Sequence, residues 1–152
     1  MRKLIFILAA LAVAAAVPAR ASDQSDIMAT VHQFFDSVDK GDAKSAFAAC
    51  SSPMVIIDEF PPHVWQGATA CQDWLHDLTA INAKFGMTKP NAQIGTARRI
   101  DVNGDRAYVV ADSTYAFEQK GKTTTETGST VVLALKKTPA GWRLTGWAWS
   151  TK

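Results

Sequence analysis

Clusters of metal ligands, stripes of positive charge and long apolar runs are all scarce in this chain of 152 residues. Its 3 histidines and 2 cysteines show neither the CxxC nor the Cys-His spacing of a redox or zinc site, so neither a metal centre nor thiol chemistry is expected. Nothing in the sequence calls for a cofactor. Arg98-Arg99 and Lys136-Lys137 are isolated basic pairs of the kind solvated strand faces carry, which disfavours nucleic acid as a partner. No internal repeat or low-complexity stretch interrupts the chain.

The one extended apolar run, Leu4 to Val17, is 14 residues long, short of the ~20 a membrane-spanning helix needs. It follows Met1-Arg-Lys and ends at Ala19-Arg-Ala21, a small-x-small cleavage pattern. Residues 1–21 therefore read as a secretory signal peptide, and residues 22–152 as a single exported domain, periplasmic or secreted, without a membrane anchor once the leader is cleaved. Losing Arg2, Lys3 and Arg20 leaves 13 basic residues against 14 acidic, a net charge of −1, so most of the apparent basicity belongs to the leader. In an oxidising compartment Cys50 and Cys71 are either one disulfide or two separate small buried side chains.

Two amphipathic stripes predict long helices. Ile27, Val31, Phe34, Phe35 and Val38 share a face between Asp26 and Lys40. Trp74, Leu75, Leu78, Ile81 and Phe85 do the same between Thr69 and Phe85, with Asp73, His76 and Asp77 facing away. Between them, Asp42 caps a short helix running to Cys50. The β-branched stretch Met54 to Asp58 then reads as a buried strand that turns at Pro61-Pro62 and returns through His63-Val-Trp-Gln66. After Lys89-Pro90 the period changes to two. Strands are expected over 94–102, 106–118, 122–137 and 142–150, joined by turns at Asn103-Gly104, Gly121 and Thr138-Pro-Ala-Gly141. The fold class is α+β: three N-terminal helices packed on a curved, mostly antiparallel sheet.

This order of elements, with Phe34-Phe35-Asp-Ser-Val-Asp-Lys-Gly-Asp42, the strand into Asp58, Trp65-Gln-Gly67 and Gly141-Trp-Arg-Leu-Thr-Gly-Trp147, resembles the nuclear transport factor 2-like superfamily, including SnoaL-like cyclases and ketosteroid isomerases. The resemblance covers nearly all of residues 26–150. It implies a cone-shaped domain, a homodimer, and a pocket for a small apolar or aromatic molecule. It places the isomerases' proton-shuttling aspartate at Asp58, where burial would push a carboxyl pKa upward and suit it to general-base work. The isomerases' oxyanion donors are not matched: Phe34 stands in place of their tyrosine, and their protonated acid falls at Thr130, next to Ser129. An epoxide-hydrolase constellation is absent as well, since Val110 and Trp149 occupy two of its positions.

Trp149 is implied to face the cavity, with Phe34, Ile56, Trp65, Trp74 and Thr130 completing the lining. Asp58 has a competing role as the cap of the turn at Glu59-Phe-Pro-Pro. His63 reads as a loop residue near it, and His32 and His76 as surface residues. Two functions remain open: a small-molecule-binding protein, with Asp58 serving an isomerase- or lyase-type step, or a non-catalytic dimerisation or interaction module of the same fold.

Overall fold

The computed structural model describes residues 16–151, with side chains from Ser22 onward. Helix α1 spans Ala16–Asp39, α2 Ala43–Ala49 and α3 Ala70–Phe85. The strands are β1 (Cys50–Ile57), β2 (Val64–Gly67), β3 (Met87–Asn103), β4 (Arg106–Gln119), β5 (Lys122–Thr138) and β6 (Gly141–Ser150). They form one sheet in the order β2-β1-β6-β5-β4-β3. Only the β1–β6 pair is parallel, the result of returning the C-terminal strand to the middle of the sheet. Most of residues 1–21, the stretch read as a signal peptide, lies outside the described residues.

Helix α1 begins ten residues before the predicted Asp26. The alanine-rich stretch propagates helix readily. Strand β3 also starts earlier than expected, at Met87. It is an edge strand, so Pro90 within it interrupts no central ladder. Helix α3 follows the β1–β2 hairpin, so the three helices do not form an uninterrupted N-terminal block.

Alternation along the strands gives the sheet two unlike faces. On the concave face, Ile100, Val109, Leu133, Trp147, Ile56 and Trp65 stand in one register row across all six strands. Five of the six are buried, and Ile100 is half-buried. The α1 stripe of Ile27, Val31, Phe34 and Phe35 covers this face, with Val38 packed at its edge. Asp39 fixes the end of α1 against β3 by accepting from the Ala92 N–H (2.9 Å) and the Asn91 side-chain amide (2.9 Å). Near the other end, Asp23 accepts from Lys137 Nζ (2.5 Å) and the Trp142 indole (3.3 Å).

Helix α3 buries a narrower stripe than its pattern predicts. Ala70, Cys71, Trp74 and Asn82 are buried, Leu75, Leu78 and Ile81 are half-buried, and Phe85 is 53% exposed at the C-terminal end. Gly86 closes the helix in the left-handed region at φ 64°, a conformation glycine adopts without strain. Gly146 has a different constraint: a Cβ there would lie 2.9 Å from the Val55 carbonyl oxygen, so only glycine lets β6 approach β1 this closely.

Cys50, the first residue of β1, is bonded to Cys71 in the first turn of α3, with Cα atoms 6.6 Å apart. The bond ties the helix that carries Trp74 to the strand that ends next to Asp58. For a closed loop of this length, chain entropy gives a stabilisation of about 3 kcal/mol. Cys50→Ala/Cys71→Ala is therefore expected to lower the unfolding free energy by about 3 kcal/mol in urea titrations; an unchanged midpoint would contradict this.

Candidate functional site

Asp58 immediately follows β1, where the chain leaves the sheet for the β1–β2 turn. Its backbone closes that turn, the N–H donating to the His63 carbonyl at 3.0 Å. Its side chain serves two masters. Oδ1 accepts the Glu59 N–H at 2.7 Å, and Oδ2 accepts the indole N–H of Trp74 at 2.9 Å. The turn-capping and concave-face readings of this residue thus describe different oxygens of one carboxylate.

Parallel pairing aligns Ile57 with Ala148, so one residue further on Asp58 comes level with Trp149. Burial raises the Asp58 pKa above its ordinary value of 3.8; the hydrogen bonds from Trp74 and Glu59 oppose the shift, the Glu59 charge adds to it, and His63 opposes it. Glu59 faces elsewhere, its carboxylate accepting from the Thr151 N–H and hydroxyl at 2.6 Å. His63 is exposed, with its Nδ1 3.2 Å from the Asp58 carbonyl oxygen.

The wall behind Asp58 is aromatic. Trp74 packs nearly perpendicular to Trp147 (centroids 5.0 Å, 89°) and lies 5.7 Å from Phe34. Phe35 bridges Trp147 (5.7 Å) and Trp149 (6.2 Å). Phe34, Ile56, Trp65 and Trp74, expected as pocket lining, are all in the buried core, and Trp149 packs against it half-buried. Trp65 is held by its indole N–H donating to Asp77 at 2.8 Å, which gives a partner to an aspartate expected to face away.

Thr130 belongs to the opposite face. Its hydroxyl accepts from Arg98 at 2.5 Å, in register with Asp112, which Arg98 also bridges at 2.9 Å. The expectation that Thr130 lines the cavity is corrected by strand alternation: Ser129, one residue earlier, is the side chain that points inward, at 1% exposure.

Apart from Ser129, which the resemblance placed beside the isomerases' acid position, sequence patterning missed a set of buried polar groups. Among the described residues, Asn82 Oδ1, Ser113 Oγ, Ser129 Oγ, the Tyr115 hydroxyl and Trp147 Nε1 are buried without a hydrogen-bond partner. Leaving such a group unpaired costs about 1–3 kcal/mol, and native interiors hold few of them. Ser113 and Ser129 are direct cross-strand neighbours. Tyr115 follows two residues after Ser113; burial raises its pKa, the Asn82 side chain opposes the shift, and the charges of Asp39, Glu126 and Asp58 add to it. Asn82 was legible only as the position four residues beyond Leu78 and eight beyond Trp74, because its polarity hides it from an apolar-stripe reading.

A groove of about 550 Å³ runs between α1 and the irregular stretch of β3–β5, bordered by His32, Asp36, Ile94, Ser113, Thr114 and Gly128. Its volume is within the range of small-molecule sites. Asp58 does not border it; Ser113 does. Among the described residues no group of His, Cys, Asp and Glu side chains is arranged to hold a metal ion.

The model of the SnoaL-like domain matches residues 27–151. The chain belongs to the SnoaL-like domain family. Its fold is similar to that of a nuclear transport factor 2-like protein from Novosphingobium aromaticivorans (18% identity, 93% of this chain and 92% of that one, TM-score 0.74). It is similar as well to a nuclear transport factor 2-like superfamily protein from Salmonella enterica (17%, 87% and 92%, 0.72), and to a hexachlorocyclohexane dehydrochlorinase from Novosphingobium barchaimii (9%, 90% and 91%, 0.75). Among curated proteins, none matches this SnoaL-like chain by sequence.

The raised Asp58 pKa fixes the sign of a stability effect. Because the folded protein holds this proton more tightly than the unfolded chain, stability falls as pH rises from about 3.8 through the folded-state pKa. Asp58→Asn removes that loss. The stability difference between Asp58→Asn and wild type, followed by chemical denaturation, is expected to grow in the variant's favour as pH rises through this interval. A difference that stays flat, or moves against the variant, would contradict a raised pKa.

Proposed function

We propose that this SnoaL-like protein is exported and binds a small apolar or aromatic molecule on the concave face of its sheet, with Asp58 as general base in an isomerase- or lyase-type step. The observation that carries the reading is the Asp58 carboxylate, half-buried and oriented by the Trp74 indole at 2.9 Å. A base for C–H or O–H proton removal needs an affinity for protons nearer neutrality than a free carboxylate has, and desolvation supplies it. Ser113 Oγ, Ser129 Oγ and Trp147 Nε1, on the same face of the sheet, are unpaired and offer hydrogen bonds to a bound molecule. The structural likeness to a dehydrochlorinase is compatible with a lyase-type step, and it shows the fold alone.

The test is native mass spectrometry of the exported protein purified from its own periplasm. Wild type is expected to carry a small apolar or aromatic molecule that Trp149→Ala loses. Ligand-free spectra of wild type, Asp58→Asn and Trp149→Ala alike would overturn the binding reading.

A second reading, pairing of two copies through the convex face, has its own support. Val110, Val132, Ala148, Ile57 and Val64 form one register row on that face, and Tyr108, Ala134, Gly146 and Val55 form the next. Val55, Ile57, Val64 and Tyr108 are 41–49% exposed. A two-fold pairing of such rows buries like against like, and a stable interface covers about 800 Å² per partner. Ile57→Asp is expected to convert a dimer to a monomer in light scattering; a monomeric wild type would exclude this pairing.

A further inference from the structure

We infer that Ser113 and Ser129 form a hydrogen-bonding subsite that receives a neutral oxygen function, a hydroxyl or carbonyl, of the bound molecule, reached through the groove beside α1. This rests on the concave-face binding reading above and adds the chemistry of what is bound.

The two serines are 3% and 1% exposed, and neither Oγ has a hydrogen-bond partner. They stand side by side on adjacent strands, with Ile94 completing the row on β3. The neighbouring row on the same face is Ala111, Val131 and Trp149, entirely apolar. Packing alone would be as well served by alanine or valine at 113 and 129, so the hydroxyls are present in spite of their desolvation cost. A serine in a strand has few local acceptors, and here neither hydroxyl uses one.

A ligand hydroxyl or carbonyl accepts from one or both serine hydroxyls, and a ligand hydroxyl can also donate to a serine oxygen. Ser113 also borders the 550 Å³ groove, whose volume is large enough for a bicyclic molecule, and Ser129 stands directly across from it on β5. Trp149, one row away, offers its ring to the apolar body.

Charge narrows the class. Asp36, Asp112 and His32 border the groove, and no lysine or arginine among the described residues does. Arg98 is exposed and already bridges Asp112 at 2.9 Å. Asp112 is thus offset, and Asp36 supplies the uncompensated negative charge at the groove. A carboxylate or phosphate entering there would lose its hydration without gaining a cation. A neutral oxygen pays much less and satisfies the unpaired groups.

Four probes with one ring system test this: indane, 2-indanol, indane-2-carboxylate and 2-aminoindane, titrated against the mature wild-type protein by tryptophan fluorescence and calorimetry. The alcohol is expected to bind about tenfold or more tightly than indane or the carboxylate, the gain of one satisfied buried hydrogen-bonding site. Ser113→Ala/Ser129→Ala is expected to lose about that factor for the alcohol while leaving indane affinity unchanged; the single variants Ser113→Ala and Ser129→Ala report the same loss in part. Tightest binding by the carboxylate or the amine overturns the inference, as does an alcohol preference that survives in the double variant. Equal binding of all four probes overturns the subsite and leaves the ring-binding reading standing. Binding of none overturns both.

Discussion

The indole N–H of Trp74 reaches from α3 to the carboxylate beyond β1, and most of the site depends on that 2.9 Å contact. It holds an ionisable group at a half-buried position next to an aromatic wall. The same tryptophan packs on Phe34 and Trp147, so the donor is fixed by the core it belongs to. One turn earlier, Cys71 ties α3 to the start of β1. The helix is thus anchored to the strand through a covalent bond at one end of β1 and a hydrogen bond just past the other. An indole N–H is a neutral donor. It orients the carboxylate and partly offsets the cost of charge without lowering the pKa as an arginine would, and burial remains the dominant influence on Asp58.

Around this contact the sheet separates two kinds of surface. The concave face is apolar in its middle rows and turns polar toward the Ser113–Ser129 row, where several buried groups lack partners. The convex face carries apolar rows that remain open. Period-two alternation allows a single strand to serve both: in β1, Ile56 belongs to the core and Ile57 to the open face; in β5, Ser129 points inward and Thr130 outward. A one-residue misplacement in β5 therefore exchanges a candidate ligand contact for a surface hydroxyl held by Arg98.

Much of this architecture was legible from sequence. The α1 stripe, the Asp42 cap, confirmed by its acceptance of the Ser45 N–H at 3.1 Å, and the turns between strands follow from local physics that tertiary packing leaves intact. Asp58 was legible from its place at the end of a β-branched run. The groups around it were not. Ser113 and Ser129 come together only through long-range strand pairing, and Asn82 and Tyr115, as isolated polar residues, carry no periodic signal; Ser129 entered only through the family resemblance. The earlier residues of α1 escaped because residues 1–21 read as a leader rather than as part of the fold, and the length of β3 because Pro90 suggests a boundary that its position on an edge strand makes harmless. Thr130 was misplaced because a count along a family pattern carries no information about which face a residue takes.

The central claim is that burial against the aromatic wall, with only a neutral donor to oppose it, makes Asp58 a stronger base than a free carboxylate. Carbon-13 NMR of the Asp58 side-chain carboxyl, titrated with pH in wild type and in Trp74→Phe, measures this directly. The account requires a wild-type midpoint above 3.8 and a still higher one in Trp74→Phe, where the hydrogen bond to the charged form is lost but the aromatic wall is kept. A wild-type midpoint at or below 3.8 would contradict it, because Asp58 would then be a turn cap with no retained affinity for a proton.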